Sequence, residues 1–298
     1  MRAEALVALV ALSLLAAACH DSNKDHAAPA VSMAHVTLTG PPGSVNVPPH
    51  AEAKTVCRAI ETRGQLRVDD AGVKQGDVLG DAFIELPEGA HLAIENGTTT
   101  RETIFDGPGA VRACVGGDEE MWMPTGLFKS VIGAGETPGA EVWIVTPHVV
   151  VRYGSGAQLH IQGTSSKADV TLTAGTAWAY PIGTMLYDGG MPHESEGWME
   201  IPGNDTLTFV SKRAPAQLVG ECEQAATTAR GIALAIGAHD ASLAVEAPKH
   251  VVARRRAHAL CAAAELVAAR SLNLVERERL LPRARAASAK WRDNSATP

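Results

Sequence analysis

Between residues 80 and 210 apolar and polar positions alternate with a period of two, and three of the alternating runs share one opening. "GAHLAI" (89–94), "GAEVWI" (139–144) and "GAQLHI" (156–161) each begin Gly-Ala and then set aliphatic residues at every second position. Leu92 and Ile94 oppose His91 and Glu95, Val142 and Ile144 oppose Glu141 and Trp143, and Leu159 and Ile161 oppose His160 and Gln162. Successive side chains of an extended chain leave on opposite sides, so each run predicts a strand with one buried face. "DAFIEL" (81–86), "HVVVRY" (148–153), "ADVTLTAG" (168–175) and "TLTFV" (206–210) are β-branched or aromatic-rich segments of the same kind, separated by turn clusters such as "PEG" and "GTSS". Short strands spaced in this way predict a mainly β domain over 56–212, a sandwich or a short solenoid in which the repeats form successive turns or hairpins.

The period changes after residue 213. Leu218, Cys222, Ala225, Ala229, Ile232 and Ile236 step by four and three, and Val251, Ala257, Cys261, Ala264 and Ala268 form a second stripe. These stripes predict an α-helical hairpin within 213–298, broken at "GAHDAS" (237–242), with Pro248 in a first turn. A third helix, "NLVERERLLPRARAASAKW", follows, kinked or ended by Pro282.

The N-terminus follows neither pattern. Arg2 precedes the apolar run Ala5 to Ala18, which ends at Cys19. A basic residue, a short apolar stretch and small residues before a cut predict a signal peptide over 1–18. The Cys after "LLAAA" resembles the bacterial lipoprotein signal, in which that Cys becomes the lipidated first residue; Ala16 stands where that signal usually has Leu. Ala16-Ala17-Ala18 also satisfies the rule for ordinary signal peptidase, which would release a soluble protein. The polar segment 19–55 reads as a flexible tether, and its His20, Asp21, Asp25 and His26 as solvated groups rather than a metal frame.

Export gives the cysteines meaning. Without Cys19 there remain Cys57, Cys114, Cys222 and Cys261, an even number suited to an oxidising compartment. Four cysteines allow three pairings. The helical register favours one of them, because Cys222 and Cys261 lie nearly equidistant from a turn centred near residue 242 and would face each other on antiparallel helices. Cys57 would then pair with Cys114.

Charge divides the chain at the same boundary. Residues 19–212 hold 12 Lys/Arg and 24 Asp/Glu, whereas 213–298 hold 13 and 8. Basic helices docked on an acidic β-domain, or solvated, are the reading that follows, and export argues against nucleic acid as a partner.

The order "VKQGDVLGDAFIELPEGAHLAIENGT", "VTPHVVVRYGSGAQLHI", "ADVTLTAGTAWAYP" resembles the FecR-type periplasmic domain. The shared features are a Gly-Asp step (Gly76-Asp77), a Gly-opened apolar strand, a Thr-Pro lead-in (Thr146-Pro147) to a valine-rich strand, and a strand pair from Val170 to Ala177. The resemblance implies an exported all-β domain without catalytic residues. The sigma-factor relay of the iron-citrate regulators is not expected here, since no stretch of this sequence reads as the cytoplasmic segment on which that relay depends.

Candidate chemistry is thin. Gly133 to Gly139 resembles a phosphate loop but lacks Lys and precedes a strand. Asp118-Glu119-Glu120 lacks calcium-loop spacing, and Asn96-Gly-Thr and Asn204-Asp-Thr match sequons that a bacterial-type signal makes uninformative. Trp143, Trp178 and Tyr180 are the candidate binding surface, able on an exposed sheet to stack on sugars or grip a protein. In a two-layer fold that face is covered and they are core, which is the favoured reading. The expectation is a non-enzymatic envelope lipoprotein without cofactor or metal, facing the periplasm or cell surface. It would bind, scaffold or sense an envelope protein or polysaccharide and hold the membrane through its lipid. The alternatives are an envelope hydrolase using dispersed residues such as His193 and Glu196, or a structural assembly subunit.

Overall fold

A computed structural model of the chain describes residues 57–292, apart from 70, 97–100, 116–119, 131–140, 191, 211–212 and 239–242. The signal peptide over 1–18, Cys19, the tether over 19–55, the loop Gly133–Gly139, Asp118 and Glu119 all lie outside the described residues. The first strands are β1 (Cys57–Arg63), β2 (Arg67–Val68), β3 (Ala71–Gly72), β4 (Val78–Leu79), β5 (Ile84–Leu86) and β6 (His91–Asn96). Two long strands follow, β7 (Arg101–Arg112) and β8 (Glu120–Ser130), then β9 (Val142–Val145), β10 (Val149–Tyr153), β11 (Gln158–Gly163) and β12 (Ala168–Ala174). The last strands are β13 (Ala177–Pro181), β14 (Thr184–Leu186), β15 (Glu194–Ser195), β16 (Trp198–Glu200) and β17 (Thr206–Val210). Three helices close the body: α1 (Pro215–Ala238), α2 (Leu243–Ala269) and α3 (Leu274–Arg292).

All the strands belong to one open hydrogen-bonded sheet that doubles over into two layers. One layer runs β4–β1–β6–β7–β8–β11–β12–β17–β14. The other runs β3–β2–β5–β7–β8–β9–β10–β13–β16–β15. β7 and β8 therefore belong to both layers. They bend where β7 reads Asp106-Gly-Pro-Gly109 and the β7–β8 register slips between Asp106 and Ala110. The bend brings backbones close: a Cβ on Gly109 would sit 2.4 Å from the Thr125 carbonyl oxygen, and Gly126 holds φ at 125°. A side chain at Gly109 would collide with the β8 backbone, and one at Gly126 would strain a backbone that only glycine adopts readily.

The alternating residues fill the space between the layers. Leu92, Ile94, Leu159, Ile161, Val142 and Ile144 join Phe105, Phe128 and Phe209 in one buried core, each large side chain contributing about 1.5–3 kcal/mol of burial. The architecture is thus the expected sandwich and not the solenoid. Nor do the Gly-Ala repeats form successive turns. β6 and β11 lie in one layer on opposite sides of the β7–β8 pair, and β9 runs parallel to β8 in the other.

The helical region is the expected hairpin with its third helix, and α1, α2 and α3 pack mutually as a three-helix bundle. Pro282 lies inside α3, which continues to Arg292. The stripes Leu218-Cys222-Ala225-Ala229 and Ala257-Cys261-Ala264-Ala268 are buried, but Val251 is exposed. α2 is buried on nearly every side from Ala257 to Leu266, as befits a central helix. Disulfides join Cys222 to Cys261, at a Cα separation of 4.7 Å, and Cys57 to Cys114, at 5.9 Å. The small alanines beside Cys222 and Cys261 allow that approach of the two helices.

Candidate functional site

The sandwich has two outer faces, and the chain treats them differently. The helices cover the outer face of the β9–β10–β13 layer. Two rows of side chains cross it at right angles to the strands: Arg112, Trp122, Val145, Val150, Tyr180, and Glu120, Trp143, Arg152, Trp178, Glu200. Glu120 is 0% exposed. Its Oε1 accepts from Trp122 Nε1, and its Oε2 accepts from His258 Nε2 at 2.5 Å and Arg292 Nη2 at 3.4 Å. The His258 ring stacks on Trp143 at 4.0 Å between centroids, and the Trp291 ring lies 5.1 Å from it. A strand acid, a strand indole, an α2 imidazole and an α3 guanidinium are thereby fastened together.

A second clamp lies along the same face. Arg152 Nη1 donates to Glu141 Oε1 at 2.6 Å, and Arg255 of α2 approaches the same oxygen at 3.3 Å. The Arg152 guanidinium lies 4.9 Å from the Trp198 ring centre and 5.5 Å from that of Trp178. Arg270 beyond α2 donates to Glu85 at 2.7 Å. Basic helices meet acidic strands here, as the charge division foretold.

Burial works against ionisation of Glu120. His258, Arg292 and the Trp122 N–H outweigh it and hold the carboxyl below its usual range. Glu265 on α2 has fewer partners, and burial raises its carboxyl despite the Ser288 hydroxyl beside it. Burial likewise raises the Tyr180 phenol.

Trp143, Trp178 and Tyr180 lie on this helix-covered side. Trp143 is 9% exposed and lies in the core shared with the helices, and Trp178 and Tyr180 pack against that core, partly buried. The alternation placed them rightly opposite Val142 and Ala179, but the helices seal that side. His193 precedes β15 and Glu196 lies in the β15–β16 turn, both exposed, with His193 6.0 Å from the Trp178 ring centre. Among the described residues no helix is long and apolar enough to cross a membrane.

The other outer face is open. There the rows read His91, Asp106, Leu127, Gln162, Asp169, Thr208, Leu186, and Ala93, Ile104, Lys129, His160, Thr171, Thr206. Their ends reach a groove of about 460 Å³ lined by Tyr187, Asp188, Asn204, Asp205 and Thr208, with Leu186 at its edge. Tyr187 Oη donates to Asp205 Oδ2 at 2.7 Å. Thr208 Oγ1 donates to Asp169 at 2.6 Å, and the Thr171 and Thr206 hydroxyls are 2.7 Å apart. Sequence reading had passed over this site, noting Asn204-Asp-Thr only as a sequon. Its two walls lie some fifteen residues apart in the chain and meet only because β14 pairs with β17. Comparison of the chain with protein-family models, with curated proteins and with solved structures finds no match.

Proposed function

We propose that the chain is an exported cell-envelope lipoprotein whose FecR-like β-domain is a non-enzymatic binding, scaffolding or sensing module. The observation that carries this reading is the contrast between the two faces. Buried Glu120 and part-buried His258 are spent on fastening helices to sheet, and the polar surface left to solvent is held by its own hydrogen bonds. An acid or base that works on substrate needs a lone pair or proton within reach of it; both Glu120 oxygens accept hydrogen bonds from inside the protein. The two disulfides fit an oxidising compartment. The apolar run ending at Cys19 supports a lipid anchor.

Two experiments on the full chain in cells test the reading. Metabolic labelling with a palmitate analogue is expected to mark wild type and not Cys19→Ser. A photo-crosslinking residue at Thr206 is expected to capture an envelope component, and one at Thr228 on α1 is not. Equal release of wild type and Cys19→Ser into the soluble fraction would remove the anchor. Turnover of an envelope substrate, abolished by one ionisable-residue change that leaves the fold intact, would overturn the non-enzymatic reading.

A further inference from the structure

We infer that the open face binds a linear, hydroxyl-rich polysaccharide without net negative charge, seated at one end in the groove between Tyr187 and Asp205. The inference rests on the binding-module reading and names its ligand.

A sugar hydroxyl both donates and accepts, and the C–H faces of a sugar ring are apolar. A site for it must offer carboxylates, amides and hydroxyls beside an aromatic surface. The groove does so: Asp188 and Asp205 accept, the Asn204 amide donates and accepts, the Thr208 hydroxyl, whose proton goes to Asp169, accepts, and Tyr187 supplies the ring. Its volume of about 460 Å³ falls within the range of small-ligand sites.

These groups are also held in place, which limits the entropy lost on binding. Tyr187 packs partly against the core, and its hydroxyl is tied to Asp205. Gly189 makes room for the ring: a Cβ there would lie 2.3 Å from Tyr187 Cζ and Oη. Asn204 adopts a left-handed φ of 63°, and its N–H donates to the Leu172 carbonyl at 2.7 Å, which pins the turn to β12.

The surroundings select a polymer and its charge. His160, Thr171 and Thr206 form one polar row leading to the groove, and Gln162, Asp169 and Thr208 form another. Strands repeat about every 4.8 Å, so the rows present polar groups at regular steps along a line. Asp169 is paired with Lys167 at 2.7 Å, which leaves the charges of Asp188 and Asp205 to dominate the groove and repel an anionic chain. Among the described residues no three His, Cys, Asp or Glu side chains converge as metal ligands.

The test is affinity electrophoresis of the full chain in native gels containing dextran, hydroxyethyl cellulose or galactomannan, with polygalacturonate as the anionic comparison. Wild type should be slowed by at least one neutral polymer and not by polygalacturonate. Tyr187→Ala should weaken apparent affinity about tenfold or more, the loss of one stacking contact. Gly189→Val, which displaces the ring without removing it, should do the same at an unchanged melting temperature. Tyr187→Phe should retain most of the binding. No retardation by any neutral polymer, equal retardation by polygalacturonate, or retardation indifferent to both Tyr187→Ala and Gly189→Val would overturn the inference. A protein captured from Thr206 in cells, with no retardation by a neutral polymer, would refute the polysaccharide and leave the binding module standing. Absence of both would sink both.

Discussion

The two outer faces of the sandwich are built from the same alternating strands yet have opposite fates. On one, Trp143, Arg152 and Trp178 stand in a row, and three helices close over them. On the other, His160, Thr171 and Thr206 occupy equivalent outward positions and remain in water. The covered face carries large rings and buried charge that make sense only with partners from α2 and α3. The open face carries no tryptophan and mixes hydroxyl, amide and charged groups with a few aliphatic ones, most of them polar enough to need no cover. Period-2 alternation alone reports that a strand has two sides; side-chain size and charge report which side is capped.

The sharpest break in this comparison should come from Trp143→Ala. It removes the surface on which His258 stacks and is expected to cost about 3–5 kcal/mol, measured by denaturant unfolding. Glu120→Ala should approach the same loss, about 3–5 kcal/mol for breaking a buried pair, because His258 and Arg292 lose their acceptor. Its pH dependence identifies the cause. The Glu120 carboxyl titrates lower folded than unfolded, so its contribution is present above the unfolded value and is lost as pH falls through the folded one. Glu120→Gln should flatten that part of the acid limb.

Removing the helical disulfide with Cys222→Ser and Cys261→Ser together should cost about 2–4 kcal/mol and appear first as proteolysis of the helices. Glu265→Gln should act in the opposite direction, and more weakly. Burial raises the folded Glu265 carboxyl, so ionised Glu265 burdens the fold as pH rises from the unfolded value through the folded one. The neutral amide should raise the melting temperature at pH 8 and leave it unchanged at pH 3. On the open face, His160→Ala and Gln162→Ala should change stability by no more than about 0.5 kcal/mol. A loss from either as large as that from Trp143→Ala would show that the open face is also structurally covered.

Much of the sandwich was legible because Leu92, Ile94, Leu159 and Ile161 keep strict alternation between turn signals. The two longest strands were not. β7 carries Gly107, Pro108 and Gly109, and β8 carries Pro124 and Gly126; such residues normally argue against a central strand. Here they mark the line where both strands cross from one layer to the other. The cysteine pairs could be reached from helix geometry, since equal rise per residue sets Cys222 level with Cys261. The covering of Trp143 depended on where the helices dock, which no local period encodes. The groove depended on β14 pairing with β17, a long-range register that composition does not reveal.

The bond between Cys57 and Cys114 also has a mechanical consequence. Cys57 opens β1, and Cys114 lies just beyond β7. Tension applied to the chain at residue 57 passes through the bond directly to the end of the strand common to both layers. It cannot peel β1 from β6 one hydrogen bond at a time. A body loaded in this way resists a pull by shear across its longest strands, so the chain between the two cysteines, 57 positions apart in sequence, adds nothing to its extension until the bond is reduced.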